Sequence, residues 1–302
     1  PADHGIFASA AGGGPGAGYF GGGQHASVNR TTVDKFDFSD DSRTTLGTGL
    51  SGGRMGPAGM ANSGTAGYFG GGNEGSYVAT VDKFAFPSDS RTTLGTGLAS
   101  AVNNLGGMAN SGTAGYFGGG HSPTVDTVNK FAFPGDSRTT LASGLSAARW
   151  GLAAMANSGT AGYFGGGNEA ARVATVDKFA FPGDSRTTLG TGLSSARKYV
   201  AGMANSGTAG YFGGGDDGVA VSTVDKFDFS DDSRTTLGTG LSGGVEQLGG
   251  MANSGTAGYF GGGNYGTTVN KFAFPSDSRT TLGTGLSSGR SGVAGMADSP
   301  GV

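Results

Sequence analysis

Around Met60 to Ala99 the apolar positions fall in four short runs separated by turn residues. "AGMA" is small throughout; past "NSGT" comes "AGYFGGG"; "ATVDKFAF" alternates with a period of two; past "PSDS" comes "RTTLGTGL". Alternation over so few residues is the pattern of a strand covered on one face, and Gly, Pro, Asn, Asp and Ser between the runs are turn formers. Pro87 follows the third run, where a residue lacking an N–H ends a ladder. No segment spaces its apolar residues as an amphipathic helix does over a useful length. The pattern predicts an all-β protein with four strands per unit.

The unit recurs. The tyrosine of "GYFGGG" stands at Tyr19, Tyr68, Tyr116, Tyr163, Tyr211 and Tyr259, with steps of 49, 48, 47, 48 and 48. The eleven residues "NSGTAGYFGGG" occur unchanged five times, from Asn62, Asn110, Asn157, Asn205 and Asn253. A period of this length, made of short strands between Gly-rich turns, is the signature of propeller blades. The expectation is a six-bladed β-propeller of four-stranded antiparallel blades over residues 18–302, behind a lead of residues 1–17. Its second strands start near 18, 67, 115, 162, 210 and 258. Small residues suit strands that crowd the axis, and Tyr68, Phe69, Phe84 and Phe86 supply bulk between blades.

A glycine pair ending the second strand, an aromatic just before it and an apolar third strand ending near a Pro resemble kelch repeats along essentially the whole chain. The departure is the fourth strand, where kelch units usually carry Trp and this chain has "RTTL". The near-identical "GYFGGG" repeats are also similar to those of repeat-containing tail proteins of marine cyanobacterial phages, which implies a virion context.

A propeller must join its first blade to its last. The first-strand methionines are Met60, Met108, Met155, Met203, Met251 and Met296, and the sixth lies beyond the last full repeat; the first blade has Ala11 at that position. The favoured arrangement has the C-terminal strand, residues 293–298, complete blade one and remove the exposed edges. The rival gives that place to "GIFASA" and frees the C-terminal segment for a neighbouring chain.

Comparing the copies separates two kinds of loop. "NSGT" and "SDSR" or "GDSR" are nearly constant, whereas the loops after the glycines and after the fourth strand vary. In an up-and-down blade those two variable connections share one end of the strands, so the varied loops occupy one face of the disc and the constant loops the other. The variable loops hold Trp150, the single Trp, with Tyr77, Tyr199, Tyr265, His25 and His121. They also hold every basic residue outside the repeated Lys and Arg positions: Arg30, Arg54, Arg149, Arg172, Arg197, Lys198 and Arg290. Aromatic faces stack on sugar rings or cations and planar guanidinium groups bind hydroxyls and carboxylates, so such loops on a rigid scaffold read as a recognition surface. The ligand-binding set expected there is Trp150, Arg149, Tyr199, Arg197, Lys198, Tyr77, Tyr265, His25 and His121.

Composition narrows the chemistry. Gly is 66 of 302 residues, a fraction that without the period would indicate low complexity. A net charge of −3 gives no general attraction to nucleic acid, and no apolar run is long enough for membrane insertion. With no Cys there are no disulfides or thiolates, and a galactose-oxidase-like copper site, which needs a cysteine-linked tyrosine, is excluded. The start at Pro1 and not Met points to processing or to a segment of a longer chain.

"GGG" lacks the Lys-Ser/Thr of a phosphate loop. "DSRTT" lacks the Gly and aromatic of an Asp box, so Asp89 and its equivalents read as turn residues accepting from nearby backbone, with the adjacent ring of Arg as weak surface pairs. Asp216, Asp217, Asn264, Glu74 and Glu169 are oxygen donors too few to fix a cation. His25 and His121 sit two blades apart with no third ligand, and His4 is in the lead. No catalytic residues, metal or cofactor are expected.

These readings converge on a non-catalytic binding module, extracellular or on a virion surface, that engages a surface glycan or protein receptor through its variable face. The alternative is a structural subunit of an extracellular filament, sheath or virion assembly of stacked propellers, whose partners are other subunits, including copies of this chain.

Overall fold

The computed structural model describes residues 16–299, which form six four-stranded antiparallel sheets. Their inner strands touch one another in a closed cycle, so the sheets are the blades of a six-bladed β-propeller. Blade two consists of Ala58–Asn62, Ala66–Gly70, Val81–Ala85 and Ser90–Thr93, side by side in chain order. Blade one differs in origin. Its inner strand is Ala294–Asp298, which pairs with Ala17–Gly21, followed by Val33–Asp37 and Arg43–Thr45. Met296 lies opposite Tyr19 just as Met60 lies opposite Tyr68. The C-terminal strand therefore closes the ring; the rival segment "GIFASA", with His4 and Ala11, falls outside the described residues.

The outer strand is shorter than "RTTLGTGL" suggests. In blade two it ends at Thr93, because the chain bends at Gly95 and carries Leu98 back into the core.

Contacts between blades account for the fixed residues. Tyr68, its phenol ring buried, stacks on Phe133 of the next blade at 5.4 Å, and Phe69 meets Phe84 edge-on within its own blade. Gly67 is fixed because a Cβ there would overlap the Sδ of Met296, and Gly115 stands in the same relation to Met60. Asn62 Oδ1 accepts from the Gly112 N–H at 2.8 Å, and the Ser63 N–H donates to Ser111 Oγ at 3.0 Å. The same serine contact continues through Ser158, Ser206, Ser254 and Ser299.

The aspartate of the "SDSR" turn works between blades and does not serve mainly as an acceptor for nearby backbone. Asp89 Oδ1 accepts from the Tyr19 hydroxyl and Oδ2 from Lys35 Nζ, both at 2.7 Å and both from the preceding blade. The arrangement repeats six times, ending with Tyr259 and Lys271 on Asp41. Burial, followed by donation to these carboxylates, raises the phenol pKa of all six tyrosines well above its ordinary value.

Candidate functional site

The two variable loops at most blade junctions are joined by short backbone bridges, including Met55 with Asn73, Asn103 with His121, Trp150 with Asn168 and Lys198 with Asp216. These bridges bring the variable side chains together as an ordered surface.

A ring of hydrogen bonds anchors that surface at the axis. Gly56, Asn104, Gly151, Tyr199, Gln247 and Gly292 all adopt the left-handed conformation, with φ between 52° and 68°. Each N–H donates to the carbonyl of the preceding member over 2.6–3.1 Å, and the circuit closes from Gly56 back to Gly292. Half of these residues are not glycine, a strained choice that the closed circuit holds in place.

Four predicted aromatics form a continuous ladder across successive loops. Tyr77 meets His121 edge-on at 6.0 Å, His121 meets Trp150 at 5.1 Å, and Trp150 meets Tyr199 at 5.4 Å. Lys198 Nζ stands 5.0 Å from the centroids of both Trp150 and Tyr199. All five side chains are half-buried, so their faces are held while part of each remains open to solvent. Burial raises the Tyr199 phenol.

The ladder has a charged flank. Arg172 Nη2 donates to both oxygens of Asp216, at 3.0 and 2.9 Å, and Lys198 Nζ lies 3.7 Å from the same carboxylate. Burial alone would raise Asp216, but donation from Arg172 and the Gly218 N–H, with the charge of Lys198, holds it below the usual carboxylate range. Asp216 is thus committed to cations of the chain, and among the described residues no cluster of three metal-ligating side chains occurs. Glu246 goes the other way: burial, then the charge of Asp216, raises its carboxyl.

The other predicted residues lie elsewhere. Tyr265 and His25 sit at the junction of blades six and one, where the Tyr265 hydroxyl is 3.4 Å from Gln24 Oε1 and His25 Nδ1 contacts the Gly289 carbonyl. No contact joins them to the ladder among the described residues.

Arg149 and Arg197 do not present their guanidinium groups to solvent, contrary to the expectation drawn from their loops. Both are fully buried, with Arg149 Nη2 2.8 Å from Asp177 and Arg197 Nη2 2.9 Å from Asp225. Arg54 and Arg290 are buried in the same way against Asp82 and Asp34. The cause is the carboxylate of the next blade's third strand, which would be buried and unpaired without them. Where that strand carries Asn, at Asn129 and Asn270, the preceding loop supplies Val102 and Val245 instead of Arg. Arg with Asp, or Val with Asn, holds at all six junctions. The repeated outer Arg likewise leans on this third-strand carboxylate and not on the turn aspartate, with Arg91 Nη1 3.5 Å from Asp82.

The fold defines the chain as a six-bladed β-propeller. No protein-family model matches it, and no curated protein matches its sequence. A solved structure, "Structure of YjhT", is similar with a TM-score of 0.64 and 15% identity, over 80% of this chain and 87% of that one. The likeness is one of fold.

Proposed function

We propose that the chain is a non-catalytic recognition module whose variable face binds a surface glycan or protein receptor. The observation that carries this reading is the ladder Tyr77, His121, Trp150 and Tyr199, with Lys198 between its last two rings. Aromatic faces in a row, spaced one per blade, suit an extended ligand that stacks on several of them, and a nearby cation and carboxylate supply polar contacts to hydroxyls. An extended ligand crossing four blades also gains from rigidity, since the loops are ordered before it arrives. The likeness of the "GYFGGG" repeats to phage tail proteins supports an extracellular or virion-surface setting, where multiple copies would add avidity.

The test is a glycan-array and cell-surface binding assay on the purified protein beside Trp150→Ala and Lys198→Ala variants, each checked by circular dichroism. Binding that falls at least tenfold in both folded variants is the expected outcome. Binding that survives in both removes the ladder from the site.

One observation favours a second reading as a structural subunit. The face opposite the ladder repeats one neutral Asn-Ser-Gly loop in five of the six blades, with Asp298 and Ser299 at the sixth, a near-symmetric surface suited to stacking copies. Ordered polymers in light scattering and electron microscopy, without ligand binding, would favour it.

A further inference from the structure

The sixth blade departs from the others at the seat that elsewhere holds a guanidinium group. In blade two, Arg54 Nη1 donates to the carbonyls of Gly71 and Thr80 at 3.3 and 3.1 Å while Nη2 meets Asp82. In blade one, Arg290 makes the same contacts with Gly22, Thr32 and Asp34. The corresponding residues of blade six are Gly262, Thr268 and Asn270, and the arginine is replaced by Val245.

A second truncation coincides with the first. The residues whose carbonyls receive the N–H of the following variable loop are Arg30 in blade one and Val78, Val125, Val173 and Val221 in blades two to five, and the residue in that role in blade six is Gly266. In blade three, which also lacks the arginine, Val125 packs against the core cluster that includes Val102. Blade six has neither side chain. The result is a cavity of about 180 Å³ lined by Val245, Leu248, Phe260, Gly262, Thr268 and Asn270. A cavity of roughly 150 Å³ accommodates a molecule the size of benzene.

We propose that this cavity is a binding site for a small neutral planar amide. The carbonyls of Gly262 and Thr268 stand where their counterparts accept from an N–H fork, and Val245, Leu248 and Phe260 provide an apolar wall for a methyl or methylene. Charge selects against a cation. The carboxylate that balances the guanidinium elsewhere is the carboxamide of Asn270, and Arg279 Nη1 already lies 3.4 Å from its Oδ1. A cation buried beside this half-buried arginine would have no counter-charge, whereas a neutral amide can donate to the carbonyls and accept from the Asn270 amide at no such cost. This site is separate from the aromatic ladder and does not depend on it.

The experiment is a titration of the ¹⁵N-labelled protein with acetamide and, at matched ionic strength, with guanidinium chloride. Acetamide is expected to shift the signals of Val245, Gly266 and Asn270 saturably, and guanidinium to leave them in place. Gly266→Val, which restores the side chain of blades two to five, is expected to abolish the shifts, and Asn270→Asp to transfer the response from acetamide to guanidinium. Absence of saturable shifts with acetamide in the native protein overturns the proposal. So does an unchanged acetamide response in Gly266→Val, or in Asn270→Asp should the first variant not fold.

Discussion

Each blade junction is held by a few polar side chains whose partners are fixed by charge. Asp177 is the clearest case: burial would raise its carboxyl, yet the Ser146 N–H, the Thr188 hydroxyl and Arg149 together hold it below its ordinary value. Removing only the arginine leaves that carboxylate buried and partly unpaired, so Arg149→Val should cost about 3–5 kcal/mol. The double variant Arg149→Val, Asp177→Asn reproduces the pair found at Val102 and Asn129, and should recover most of the loss. Urea denaturation of the three proteins checks this; a double variant no more stable than the single one would show that the pairing is not the cause. This rule was legible in the sequence, because Arg54, Arg149 and Arg197 each precede their aspartate by 28 residues and the two Asn blades lack the Arg. Reading those arginines as exposed followed from their place in loops, and only the buried carboxylate one blade away reveals otherwise. The six tyrosines give a second expectation. Their phenols are held protonated in the folded chain, while the unfolded chain releases protons above pH of about 10. The unfolded state then binds fewer protons than the folded one, so stability falls as pH rises through that value. Denaturation midpoints at pH 8, 9.5 and 10.5 should decline over the last interval, and Tyr68→Phe should decline less steeply.

At the scale of strands, the alternating "VDKF" run and the small first strand announced their positions, because each strand's two faces meet different neighbours and the pattern records both. What the pattern could not announce is how a strand of one blade limits a strand of the next. Gly115 has room for no Cβ because Met60 reaches over it from the previous blade. Gly115→Ala should therefore destabilise by about 1–3 kcal/mol through overpacking. Adding Met60→Ala should lower the cost of the glycine change, since the overlapping sulfur is gone; a double-mutant cycle in urea measures that coupling. Costs that simply add would place the strain elsewhere. The axial hydrogen-bond ring was equally hidden. Asn104 is a residue type that tolerates the left-handed backbone, but Tyr199 and Gln247 carry no mark of it, and the common role emerges only when six connections converge on one axis.

For the whole molecule, closure decides whether six equivalent junctions act as one structure. The sixth methionine beyond the last full repeat made the closing strand readable in advance, and its register with Ala17–Gly21 repeats that of the other blades. The ladder was legible only as a list of unusual residues, because contact between Tyr77, His121, Trp150 and Tyr199 depends on the angle between blades. Removing residues 293–302 tests the importance of closure. The truncated chain would expose the backbone edge of Ala17–Gly21, uncover Tyr19 and withdraw the Asp298 carboxylate from the Gly64 N–H. An open edge of this kind pairs with other chains. The expected outcome is a lower melting temperature with dimers or larger species in light scattering, both reversed by a peptide spanning residues 293–299. A truncated protein that stays monomeric with an unchanged melting temperature would mean that each blade supports itself. The ring would then be a consequence of the repeats, and closure would add nothing to the rigidity that the proposed recognition by four adjacent blades requires.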